Sequence, residues 1–105
     1  MESRGGRAAR NEALFREVNE RIKGVGEDAE TLLLLCECGD LECREGVEMT
    51  PAEYEAVRAG GDRFFLVSGH EDLTVDRVID QTAGFLVVEK LGEGGDVARD
   101  LDPRS

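Results

Sequence analysis

Thr31-Leu32-Leu33-Leu34-Leu35-Cys36-Glu37-Cys38-Gly39-Asp40-Leu41-Glu42-Cys43-Arg44-Glu45-Gly46-Val47-Glu48-Met49 is the stretch on which the reading of this chain turns. Its apolar run is too short for a helix and leads straight into a polar turn, so Thr31–Cys36 reads as a strand. Consecutive leucines place apolar side chains on both faces, which predicts a central strand of the sheet. Arg44–Met49 reads as the return strand, with Val47 and Met49 on one face. Gly39 permits the tight backbone path needed between them.

The turn holds Cys36, Cys38 and Cys43, three thiols within eight residues. A zinc ion takes four soft or borderline ligands in a tetrahedron, and thiolate and imidazole are the usual ones. His70, the single histidine, is the candidate fourth ligand in a Cys-x-Cys-x4-Cys-x26-His pattern. Water or a carboxylate such as Asp40 are substitutes for it. Two other readings of the thiols stand beside this one: a redox or disulfide role without metal, and plain packing of small buried residues. Packing does not explain cysteines at both ends of a turn carrying Glu37, Asp40, Glu42 and Glu45. With four Phe, one Tyr and no Trp, the aromatic core is thin, and a structural zinc contributes folding free energy directly.

Upstream of the strand, Leu14, Val18, Ile22 and Val25 recur at helical spacing from Asn11 onward, with Phe15 widening the stripe. This predicts an amphipathic helix covering one side of the sheet and stopped by Gly24 and Gly26 in the left-handed C′ conformation. Downstream, Thr50-Pro51-Ala52-Glu53 has the pattern of a capping box, with proline at the first helical position and Met49 and Tyr54 placed for a hydrophobic staple. Tyr54 and Val57 form the buried side of that helix, which Gly60-Gly61 ends. Arg63–Val67 reads as a third strand leading to Ser68-Gly69-His70-Glu71. Thr74–Asp80 and Phe85–Lys90 read as a hairpin, their β-branched residues favouring strand over helix. Gly92–Ser105 is expected to hold at most one weak helical turn, around residues 96–101.

The expected fold class is therefore α+β: a small, mostly antiparallel sheet with two packed helices and a zinc knuckle at a β-hairpin. Domain organisation is read as a disordered N-terminal arm over residues 1–10, a single domain over 11–102 and a tail over 103–105. At 105 residues there is room for one core and little more.

The CECGDLEC stretch, the Thr-Pro-x-Glu-Tyr-Glu-x-Val-Arg helix start, the Gly-His-Glu turn and the Val-Val-Glu-Lys strand together resemble a family of small uncharacterised bacterial proteins. The resemblance covers about residues 11–104. It implies a compact α+β domain with these cysteines as a zinc site, and brings no established activity with it. Ser68 stands where related sequences commonly carry proline before Gly-His-Glu.

Composition narrows the function classes. No apolar run approaches the ~18 residues that span a bilayer, and no secretory leader is evident, so a cytoplasmic setting with reduced thiols is expected. Net charge is −11, with +2 over residues 1–23 and −13 over residues 24–105. Such a surface repels a phosphate backbone, which disfavours nucleic acid as a partner except through the N-terminal arginines. His70-Glu71 lacks the second histidine of a zinc-protease helix, since Thr74 holds that place, and the deaminase pattern is missing. A Cys–His nucleophilic pair is opposed by the surrounding carboxylates, which disfavour a thiolate. Gly92-x-Gly94-Gly95 has no P-loop lysine and is flanked by Glu93 and Asp96, so it reads as a flexible turn. The sequence points to a non-enzymatic zinc module acting by protein contact or regulation. A thiol-based redox or metal sensor using the same cysteines is the alternative, and nucleic-acid binding through the arginine-rich arm is a weaker one.

Overall fold

A computed structural model describes residues 2–104 of the chain. Met1 of the expected arm and Ser105 of the expected tail lie outside the described residues. In chain order the elements are α1 (Arg4–Val25), β1 (Leu32–Leu35), β2 (Gly46–Met49), α2 (Pro51–Arg58), β3 (Arg63–Leu66), β4 (Asp76–Gln81), β5 (Leu86–Lys90) and α3 (Gly92–Asp100). The fold is α+β, as expected, but its strands form two antiparallel sheets rather than one: β1–β2, and a three-stranded sheet in the order β3-β5-β4. No described helix is long and apolar enough to cross a membrane.

The expected N-terminal arm is instead the start of α1. Ser3 caps this helix by accepting the Gly6 N–H at 3.1 Å, and Arg4 pairs with Asp72. The helix also turns the opposite way from the apolar period. Its buried residues are Gly6, Ala9, Glu12, Ala13, Arg16 and Asn19, while Leu14, Val18 and Val25 face outward. The inward polar side chains all have partners, without which their burial would be costly. Arg16 donates to the Gly61 and Ala98 carbonyls at 2.6 and 2.7 Å and lies over the Phe64 ring. Glu12 meets Lys90 at 2.7 Å, and Lys90 meets Asp76 at 2.6 Å. The helix does end at Val25, but Gly26 has φ −97°, so its glycine stop is not a left-handed cap.

The C-terminal stretch is likewise more ordered than its glycines suggest. Gly92–Asp100 is a full helix lying against α1. Gly94 permits the close approach: a Cβ there would fall 2.9 Å from the Gly5 carbonyl oxygen. The tail is tied down as well. Arg58 pairs with Asp102, and Arg104 bridges Glu20 of α1 and Glu55 of α2.

The capping box of α2 forms as read, with Thr50 Oγ1 accepting from Glu53 N–H and Glu53 Oε1 accepting from Thr50 N–H. Tyr54 and Val57 point into the core, where Tyr54, Phe65 and Phe85 meet edge to face. Strand β1 is not central. Leu32 and Leu34 are buried, but Leu33 is 70 % exposed because only one face of the two-stranded sheet meets the core.

Candidate metal centre

Cys36 follows directly on β1, and its N–H donates to the Glu45 carbonyl at 3.0 Å, extending the β1–β2 pairing by one step. The chain then crosses to the second sheet. Glu37 N–H donates to the Phe65 carbonyl at 3.0 Å, while Phe65 N–H reaches back to Glu37 Oε1 at 3.3 Å. The Cys-x-Cys segment thus lies along the open edge of β3, which is why the loop leaving β3 can present His70 to the cysteines. That loop is a turn closed by His70 N–H on the Val67 carbonyl.

Alternation along this extended segment separates two jobs. Cys36 and Cys38 face the site, and Glu37 between them faces inward with no exposed surface. Its carboxylate accepts from Asn19 Nδ2 at 2.9 Å. Asn19 also accepts the Leu35 N–H and donates to the Leu35 carbonyl, so one amide side chain completes the open edge of β1. Burial pushes the Glu37 carboxyl up to about 8 despite these hydrogen bonds. Sequence reasoning passed over Glu37 and Asn19 because a charged or amide side chain is normally read as solvated.

Gly39 then reverses the chain at φ +81°, a conformation L side chains rarely adopt. It also lies against α1, since a Cβ there would come within 2.9 Å of Glu12 Cγ. Asp40 caps the following turn, accepting Glu42 N–H on Oδ1 and Cys43 N–H on its carbonyl, and so delivers Cys43 back to the site.

The outcome is that Cys36, Cys38, Cys43 and His70 come together, with one ligand atom from each lying within 4.8 Å of all the others. His70 Nδ1 stands 3.5 Å from Cys36 Sγ and 3.8 Å from Cys43 Sγ. These separations suit four donors around a single ion, since sulfur and nitrogen at about 2.3 and 2.0–2.1 Å from a tetrahedral zinc are about 3.5–4 Å apart. His70 Nε2 faces the other way, 3.4 Å from Glu45 Oε2. Cys36 is buried and accepts the Val67 N–H on its sulfur at 3.2 Å, while Cys38 and Cys43 are half-buried. Burial raises the thiol pKa of Cys36, and that of Cys38, above the ordinary range, and the crowding of sulfurs adds to the rise at Cys36. A metal ion reverses this preference by binding the thiolates and displacing their protons. All four residues singled out from the sequence are in the site. No family model, curated protein or solved structure matches this chain.

Proposed function

We propose that this chain is a small zinc-binding module in which Cys36, Cys38, Cys43 and His70 hold one ion as a structural clamp, and that it acts by contact with another protein rather than by catalysis. The convergence of four soft or borderline donor atoms within 4.8 Å of one another carries the reading. Four protein ligands close a tetrahedron, whereas a catalytic zinc keeps one position for water or substrate. The ion would tie the β1–β2 hairpin to the end of β3, joining the two sheets at the point where Glu37 already bridges them. Metal analysis of protein purified without added metal tests this. About one zinc per chain is expected, lost in Cys36→Ser, Cys38→Ser or Cys43→Ser; well-folded, metal-free protein from a zinc-replete preparation would refute it.

A sensor role has one observation in its favour: Cys38 and Cys43 are half-exposed beside the buried Cys36. Release of zinc by mild peroxide would support that reading over a purely structural ion. Binding of nucleic acid is disfavoured because Arg4 and Arg10, two of the N-terminal arginines, are engaged by Asp72 and Glu2.

A further inference from the structure

The outer face of α1 carries an apolar stripe at helical spacing that is largely exposed, although Ile22 at its edge packs against the core. Leu14 is 56 % exposed, Val18 43 % and Val25 92 %, with Ile22 half-buried on the same flank. Leu33 of β1, 70 % exposed, adjoins it, since Ile22, Val25 and Leu33 line one groove. Leucine and valine repeating on the solvent side of a helix, while alanine, arginine and asparagine fill its core side, mark a contact surface. We infer that a second copy of this chain occupies it, the two α1 helices lying antiparallel across a two-fold axis.

Two features of the face favour a copy of itself over a foreign segment. The first is spacing. With two such helices antiparallel and position 14 opposite 25, position 18 falls within one residue of 22, so the apolar side chains of one stripe lie close to those of the other. The second is charge. Arg10 is already paired with Glu2, whereas Glu17 and Arg21 have no charged partner among the described residues. That register brings Glu17 of one copy within one residue of the position opposite Arg21 of the other, close enough for the two charges to pair, twice. One unpaired charge of each sign leaves no net charge to attract a strongly basic or acidic partner. Elsewhere two copies would meet with like sign, because residues 24–105 carry a net charge of −13.

Sedimentation velocity and light scattering of the full chain, from about 10 μM to about 1 mM, test the arrangement. The mass should rise from the monomer's 11.5 kDa toward twice that value. Val18→Glu should raise the dimer Kd at least about tenfold with unchanged circular dichroism. Glu17→Arg should also weaken the dimer by setting arginine against arginine, and Glu17→Arg combined with Arg21→Glu should restore it. A chain that stays monomeric over the whole range overturns the proposal, as does a dimer indifferent to both Val18→Glu and Glu17→Arg. Failure of the charge exchange to restore association overturns the antiparallel register.

Discussion

His70 offers its two ring nitrogens to different neighbours, Nδ1 to the sulfurs of Cys36 and Cys43 and Nε2 to the carboxylate of Glu45. For Nδ1 to bind a metal its lone pair must be free, which puts the proton on Nε2, where Glu45 can accept it. His70→Ala should therefore weaken zinc binding less than any cysteine substitution, because three thiolates remain. His70→Cys should recover much of the loss. Glu45→Ala should cost about tenfold in affinity, the low end for an outer partner, since Glu45 is largely exposed. Competition against a chromophoric chelator reads all three. If His70→Ala leaves affinity unchanged, the imidazole is not a ligand.

At the scale of elements, the devices that act locally and those that act through tertiary contact respond differently to mutation. Thr50→Ala removes the acceptor for Glu53 N–H and should cost about 1 kcal/mol in urea denaturation, whatever the state of the metal site. Gly39→Ala should cost at least about 1 kcal/mol, because φ +81° strains an L residue and the new methyl presses on Glu12. Unlike Thr50→Ala, it should also weaken metal binding, since Gly39 lies between Cys38 and Cys43. Equal effects of the two substitutions on zinc affinity would contradict this assignment. The capping box was legible in four adjacent residues because its hydrogen bonds are all local. The facing of α1 was not legible, because the apolar period shows that a helix has an apolar side without showing what that side meets.

At the scale of the whole molecule, the C-terminus is a strap across α1 and α2. Arg104 donates to Glu20 and Glu55 and lies over the Tyr54 ring, and Tyr54 O–H donates to Glu20 at 2.6 Å. Burial opposes ionisation of Glu20, but the hydrogen bonds from Arg104 and Tyr54 prevail and hold its carboxyl down to about 2 from the ordinary 4.5. The folded chain therefore binds this proton more weakly than the unfolded chain does. The resulting stability is complete above about pH 4.5 and is lost as pH falls toward about 2. Arg104→Ala should lower the urea midpoint at pH 7, and its difference from the native chain should shrink across that acid window. A difference independent of pH would show that the strap acts by packing alone.

The sequence by itself determined what depends on near neighbours and on chemical type. It set the α+β class, the hairpin at Cys36–Cys43, the start of α2 and the identity of the four candidate ligands, whose rarity in the chain singles them out. Tertiary structure alone decided the rest. It split the strands into two sheets, because Glu37 occupies the edge of β3 that a further strand would have used. It turned Glu12, Arg16 and Asn19 inward, because Lys90, the Gly61 and Ala98 carbonyls and the open edge of β1 await them there. Those partners lie far away in sequence, and a buried polar side chain can be recognised only once its partner is in place.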